Sequence, residues 1–409
     1  MASDESIVIV GASLAGARAA ETLREEGFAG RITLIGEEHE RPYQRPPLSK
    51  GYLAGREDKS SIYVHEEDWY ERNGVELVLG TRATAIDRAA REVELSDGRR
   101  IRYDKLLLAT GASPRRLDLP GAELEGVYYL RTVEDSERIR NAIFGGGRFV
   151  IVGAGWIGLE VAAAACGYGA EVTIVEPQPT PLHGVLGPEL GEVFAKLHRG
   201  NGVDLRLGES VTQLHSEGGK VTGVVTSSGD TLSAGAVIVG IGARPNTELA
   251  EAAGLPVDNG VVVDECLRTE DERIWAAGDV ANYHNVVFGR RLRVEHWANA
   301  YDGGPAAARS MLRPGTVYDV VPFFYSDQYD LGMEYTGYAP AGTYDRIVYR
   351  GDVAGLEFIA FWLKDGRVRA GMNVNVWDVA EDIQKLIRSG RQFDPDRLAD
   401  PDVPLADLA

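Results

Sequence analysis

Cysteine is scarce in this chain of 409 residues: there are two, Cys166 and Cys266, far apart in sequence. No CxxC spacing exists, so neither a structural zinc site, nor a disulfide framework, nor a paired redox thiol is supported. No metal site is expected, and so few thiols fit cytoplasmic residence. Basic charge is also short: 43 Lys and Arg stand against 62 Asp and Glu, a net charge of −19. That balance argues against nucleic acid or an anionic membrane as a partner, since both require a basic surface. The opening MASDES is polar and acidic and carries no secretory signal. Residues 149–170 hold a single acid, Glu160, and no base, but glycines at 153, 155, 158, 167 and 169 interrupt them. They read as a buried strand, turn and helix rather than a membrane span.

What the chain has in quantity is glycine, 49 residues, and part of it is placed in a repeated pattern. VIVGASLAG (8–16) leads to ITLIGE ending at Glu37; FVIVGAGWIGLE (149–160) leads to VTIVE ending at Glu176. Each copy reads as strand, Gly-rich turn, helix, strand and terminal acid, the fingerprint of a dinucleotide-binding unit. The first Gly makes the turn, the second admits the pyrophosphate, the third lets helix and strand pack, and the acid binds ribose hydroxyls. The phosphates meet the free N–H groups of the helix start. The second copy has Gly153, Gly155 and Gly158 in full, with Glu176 eighteen residues on. The first copy has Gly11 and Gly16 but Ser13 in the middle place, with Glu37 twenty-one residues after Gly16. Serine is small enough for close phosphate approach, and its hydroxyl can donate. Two units imply two dinucleotides held at once, and electrons passing from one to the other.

After the first unit, PYQRPPLSKGYLAG (42–55) breaks regular structure. Residues 75–103 alternate as an antiparallel excursion with a hairpin at SDGR (96–99). KLLLATGASP (105–114) is a buried return strand. The same rhythm follows the second unit, with ATGAS (109–113) matched by GIGARP (240–245), so the second half looks like an internal duplicate. RIWAAGDV (273–280) is a short strand ending in Gly-Asp. The remainder holds aromatic strands and then an amphipathic helix, VAEDIQKLIRSG (379–390), an α+β domain. The fold class is therefore α/β, with two Rossmann-like dinucleotide-binding domains, a layout that resembles the glutathione-reductase fold, plus a C-terminal α+β domain. Expected boundaries are 1–114 with 246–322, 115–245, and 323–409.

Several runs together resemble the FAD-dependent, NADH-dependent ferredoxin reductases of bacterial oxygenase systems, the putidaredoxin, rhodocoxin and biphenyl-dioxygenase reductase group. They are VIVGASLAG, RPYQRPPLSKGYL (41–53), LLLATGA (106–112), IVGAGWIGLEVAAAA (151–165), VGIGARPNTELA (239–250), WAAGDVA (275–281), VEHWANA (294–300) and YSDQYDL (325–331). RPPLSK and EHWANA are far more specific than the Gly-rich turns. The resemblance spans the chain and implies FAD on the first domain, NADH on the second and an interface domain at the C-terminus. It implies FAD contacts at Gly11, Ser13, Leu14, Ala15, Gly16, Glu37, Arg45, Lys50, Ala83, Ala109, Thr110, Gly111, Arg131, Gly278, Asp279, Glu295, His296, Trp297 and Tyr325. NAD contacts are implied at Gly153, Gly155, Trp156, Ile157, Gly158, Glu160, Glu176 and Gly242. Lys50 and Glu160 are implied as a pair beside the flavin, the residues given catalytic weight. Plainer readings stand beside these: Asp279 as a helix cap, Arg45 as a surface charge, Lys50 with Glu160 as a structural ion pair. Tyr325 replaces a Trp common in this family, and a core aromatic is an equal reading.

The carboxylate at Glu176, followed by PQPTPLHG without Arg or Lys, favours NADH over NADPH. The resemblance implies hydride transfer from NADH to FAD, then single electrons to a [2Fe–2S] ferredoxin serving a cytochrome P450 or a ring-hydroxylating dioxygenase. Disulfide reduction fails for want of a Cys in RPYQRPPLSK. A redox-responsive binding protein like apoptosis-inducing factor, or reduction of rubredoxin or monodehydroascorbate, stays open. Ferredoxins are usually acidic, so docking needs a local basic patch; Arg290, Arg291 and Arg293 are candidates, with Arg309 and Arg313. A monomer or weak homodimer is expected.

Overall fold

The computed structural model describes residues 5–408; the polar MASD start lies outside the described residues. The chain divides into two compact units. The first comprises residues 1–44, 59–113 and 244–322; the second comprises 45–58, 114–243 and 323–409.

The first unit is built on a parallel sheet in the order Ile274–Ala276, Lys105–Leu108, Ser6–Val10, Arg31–Ile35, Val75–Val78. The inner strands Lys105–Leu108, Ser6–Val10 and Arg31–Ile35 are nearly continuous apolar runs because both faces are covered; Ile7, Ile9, Ile32, Leu34, Leu106 and Leu107 are wholly buried. The excursion from Ala83 to Arg102 forms a three-stranded antiparallel sheet that turns at Gly98. Helices Leu14–Glu25 and Trp297–Leu312 pack closely through small residues. A Cβ on Gly304 would lie 2.2 Å from the Ala15 carbonyl oxygen, so only glycine permits that approach.

The second unit repeats the plan. Its parallel sheet runs Asp204–Leu207, Glu171–Glu176, Arg148–Val152, Ala236–Val239, Val127–Tyr129. An antiparallel excursion follows at 211–233. Residues 323–374 form a five-stranded antiparallel sheet, and helix Ala380–Ser389 lays Ile383, Leu386 and Ile387 on it. One core joins these parts: Phe149, Ile151 and Phe194 share it with Phe324, Phe358 and Trp362. Burying side chains of this size contributes about 2–3 kcal/mol each. Among the described residues no helix is long and apolar enough to cross a membrane, and no cluster of His, Cys, Asp or Glu has the makings of a metal site.

Candidate functional site

In open parallel sheets ligands bind beyond the carboxyl ends of the strands, where the strand order reverses. In the first unit that edge carries Gly11 after Val10, Glu37 after Ile35, Ala109, Thr110 and Gly111 after Leu108, and Gly278 with Asp279 after Ala276. Four neighbouring strands thus deliver the expected residues to one edge. Gly11 has φ +126°, and a Cβ there would stand 2.0 Å from the Ala109 carbonyl oxygen. The turn therefore exists only as glycine. Ser13 caps helix Leu14–Glu25, yet its side chain makes no capping bond to the helix backbone, as suits a hydroxyl facing a phosphate. Glu37 is exposed, with Arg82 at 3.7 Å, a partner that sequence reading missed.

Trp297 and His296 lie at the start of helix Trp297–Leu312. Trp297 donates its indole N–H to Gln44 at 3.0 Å and stacks on Tyr301 at 4.6 Å, with the Arg18 guanidinium over the Tyr301 ring. Burial holds the His296 imidazole neutral, pushed down to about 4 against the opposing charge of Asp279. Ala83 and Glu295 also belong to this unit, whereas Arg45, Lys50, Arg131 and Tyr325 belong to the second.

The second unit has the same edge. Gly153 has φ +100°, and a Cβ there would meet the Gly240 carbonyl oxygen at 2.4 Å; one on Gly158 would meet the Gly153 carbonyl at 2.2 Å. Gly155 differs: a Cβ there would have the Gly240 oxygen at 3.9 Å and no other atom within 4 Å. The first and third glycines are fixed by protein packing and the middle one faces open space, the division of labour a pyrophosphate requires. Glu176 accepts backbone N–H bonds from Ala154 at 2.7 Å and Gln178 at 2.9 Å, which tie the terminal acid to the Gly-rich turn. Ile157 and Ile241 are exposed on this edge, and Gly242 follows. Trp156 is half-buried, edge-on to Phe194 and Phe324.

Lys50 and Glu160, 110 residues apart in sequence, meet at 2.6 Å with side chains 14 % and 3 % exposed. Pro46 and Pro47 start a short 3-10 turn, Pro46–Ser49, that Lys50 ends. Prolines preset φ for such a turn, so RPPLSK aims the lysine. Glu160 lies in helix Trp156–Gly167, one turn past the Gly-rich loop. Its carboxylate also accepts from the Ser49 hydroxyl and, at 2.7 Å, from Ser326. Lys50 lies 5.5 Å over the Tyr325 ring, whose phenol is pushed up to about 12, chiefly by burial, with Asp327 and Glu160 adding to it. Arg45 reaches the Arg131 backbone carbonyl, so it is anchored rather than a free surface charge. Ser49 and Ser326 lie in two of the runs that carry the resemblance, RPPLSK and YSDQYDL, but neither was singled out, since a buried serine looks like any loop or strand serine.

Both cysteines are free and partly buried, and burial raises both thiols. They lie in different units. Of the candidate docking arginines, Arg291 donates to the Val263 and Asn282 carbonyls, and Arg293 to the Asp279 carbonyl and Glu295. Arg309 and Arg313 both pair with Glu26.

The family profile described as pyridine nucleotide-disulphide oxidoreductase matches residues 5–304, and one described as reductase C-terminal matches residues 323–409. The chain belongs to the pyridine nucleotide-disulphide oxidoreductase family. Within this family it falls in the putidaredoxin and rhodocoxin reductase group. It is 41 % identical over 400 residues to rhodocoxin reductase of Rhodococcus erythropolis, covering 98 % of this chain and 93 % of that one. The reductase in the covalent putidaredoxin reductase–putidaredoxin complex matches at a TM-score of 0.95 and 39 % identity, over 99 % of this chain and 98 % of that one. The ferredoxin reductase for the CYP199A2 system of Rhodopseudomonas palustris matches at 0.95 and 39 %, over 99 % and 100 %. The family's name includes disulphide chemistry, but this member has no cysteine in the segment that carries Lys50.

Proposed function

We propose that this protein is an NADH-dependent, FAD-containing ferredoxin reductase, passing electrons singly to a [2Fe–2S] ferredoxin that feeds a P450 or ring-hydroxylating dioxygenase. The observation that carries the reading is the pair of Gly-rich edges, each with packing-fixed outer positions, together with a buried Lys50–Glu160 pair where disulfide enzymes of this architecture need a thiol. Residues 1–114 and 246–322 form the FAD domain, 115–245 the NAD domain and 323–409 the interface domain. Gly11, Ser13, Leu14, Ala15 and Gly16 take the FAD pyrophosphate on the helix start, and Glu37 takes its adenosine ribose. Ala83, Ala109, Thr110, Gly111, Gly278, Asp279 and the run Glu295–Trp297 complete that side.

Bound flavin supplies the conversion of a two-electron hydride donor into a one-electron source. The protein's part is positional. Gly153, Gly155, Trp156, Ile157 and Gly158 seat NADH, and Gly242 borders it. Glu176 accepts from the ribose hydroxyls and repels a 2′-phosphate. The nearest cation on the neighbouring strand, Arg206, is committed to Asp204 and Asp230 at 2.9 and 3.2 Å. The strand Asp204–Leu207 therefore offers no uncommitted cation to such a phosphate. Glu160 holds the Lys50 ammonium in one place, at the redox end of the nicotinamide site. The protein is cytoplasmic, and a monomer or weak homodimer.

The test is NADH-dependent cytochrome c reduction by the purified flavoprotein, with and without a [2Fe–2S] ferredoxin. A large ferredoxin-dependent increase, absent with NADPH, is expected. Rapid flavin reduction by NADH with no increase across several ferredoxins would overturn the acceptor assignment and turn the reading toward a redox-responsive binding protein.

A further inference from the structure

Beyond Glu160 a line of buried hydrogen bonds continues away from Lys50. Gln328 donates its amide N–H to the Ser326 hydroxyl at 3.1 Å, and its Oε1 lies 2.8 Å from His198 Nε2. His198 Nδ1 lies 3.2 Å from the Tyr329 hydroxyl, which also bonds the Cys166 thiol. Ser326, Gln328 and His198 are at most 1 % exposed. Lys50, Tyr325 and Asp327 are the charged or titratable groups around the Glu160 end.

The direction of every bond in this line follows from its end. A carboxylate only accepts, so Ser326 donates its single proton to Glu160. Its oxygen must then accept from Gln328, which fixes the amide with Nε2 toward Ser326 and Oε1 toward His198. An amide oxygen only accepts, so His198 carries its proton on Nε2. Burial keeps that imidazole neutral, and Nδ1 therefore accepts from Tyr329. Each donor points toward Glu160, and dipoles aligned in series strengthen one another in a low-dielectric interior.

Resting on the function proposed above, we infer that His198 and Gln328 are positioning residues: they hold Ser326 as a donor to Glu160, and so hold the carboxylate against Lys50. The line draws on helix Pro188–Gly200, strand Phe323–Gln328 and helix Trp156–Gly167. A relay of protons is not implied, since an amide passes none without an unfavourable tautomer.

The test compares holoenzyme variants His198→Phe, His198→Gln and Gln328→Leu with the parent. Single-turnover reduction of the flavin by NADH should slow about fivefold in His198→Phe and in Gln328→Leu, the rate equivalent of one hydrogen bond. NADH affinity should stay within about twofold, as expected when a transition-state contact is lost rather than uniform binding. His198→Gln, which restores an N–H donor near Nε2, should recover the rate. Independently of turnover, ¹⁵N spectra of histidine-labelled protein should show His198 as the neutral Nε2–H tautomer, its signal identified by loss in His198→Gln. Unchanged rates in both disruptive variants, an equally slow His198→Gln, or an Nδ1–H tautomer would overturn the inference. Should His198→Phe not fold, Gln328→Leu carries the same comparison. A parent flavin that NADH does not reduce would instead overturn the function reading, while the tautomer still decides the direction of the line.

Discussion

Glu160 is a charge kept indoors, and its partners show how: Lys50 supplies the counter-charge, while Ser49 and Ser326 fill the remaining lone pairs. Breaking one side of such a pair costs more than replacing both sides. Glu160→Gln should therefore lower unfolding stability by about 3 kcal/mol by stranding the ammonium, and slow flavin reduction as well. Adding Lys50→Met should return much of the stability, measured by thermal denaturation, and none of the rate; a double variant as unstable as the single one would refute the pairing argument. The Lys50–Glu160 pair was legible through the resemblance; the two serines that complete it were not singled out. RPPLSK carried a resemblance that singled out Lys50, and the second Gly-rich unit placed Glu160 on a helix. His198 had a faint signal in retrospect: it follows Leu190 and Phe194 at helical spacing, and all three are buried. A polar residue on an apolar face needs a partner, but sequence does not say that the partner is Gln328.

The Gly-rich turns are legible because their chemistry is local: strand, turn and helix lie within a dozen residues and the constraint is steric. Structure adds which glycine answers to which neighbour. Gly153→Ala places a Cβ against the Gly240 carbonyl at positive φ. It should destabilise the protein by about 2–4 kcal/mol. Gly155→Ala has room, so it should fold with a near-parental melting temperature; if the proposed NADH site is right, it should bind NADH at least about tenfold more weakly, since in that site the added methyl stands where a pyrophosphate oxygen approaches. Equal melting losses in the two variants would contradict this division. The return strands and the hairpins were equally readable from alternation and turn residues, but Val75–Val78, read as the start of the first antiparallel excursion, pairs parallel with Arg31–Ile35 at the edge of the main sheet, and the excursion begins only at Ala83. The placement of 45–58 with the second unit was not, because it is decided by contacts to residues such as Glu160 and Ser136 that are remote in sequence.

For the whole molecule, protons and salt are the informative variables. Burial lowers His65, His198 and His296, the last from 6.5 to about 4; His296 also sits at a helix N-terminus, where a cation is unwelcome. Folded imidazoles below their unfolded value mean that the unfolded chain binds protons first as pH falls. The stability these groups provide is therefore complete above pH 6.5 and lost as pH falls through that value toward 4. Melting temperature should drop between pH 7.5 and 5, and the drop should be shallower in His198→Gln; parallel curves would exclude His198 as a contributor. With a net charge of −19, an acidic ferredoxin needs a local exception. Arg290 is an exposed member of the candidate patch, on the strand Arg290–Leu292. Arg290→Glu should slow ferredoxin reduction, more so at low ionic strength, and leave NADH-to-ferricyanide activity unchanged; loss of both activities would remove the patch from docking.

The interleaving of the two units has a consequence for biosynthesis. The first unit lacks the strand Ile274–Ala276 and the helix Trp297–Leu312 until residue 312 has been made, and the second waits for its last sheet, which ends at Val374. Domains that are contiguous in sequence fold in order as they leave the ribosome. Here no such order is available: the nascent chain carries one open edge of parallel sheet, at Lys105–Leu108, until Ile274–Ala276 is made, and the apolar core of the second unit lacks its antiparallel sheet until Val374, so chaperone dependence should peak late, just before release.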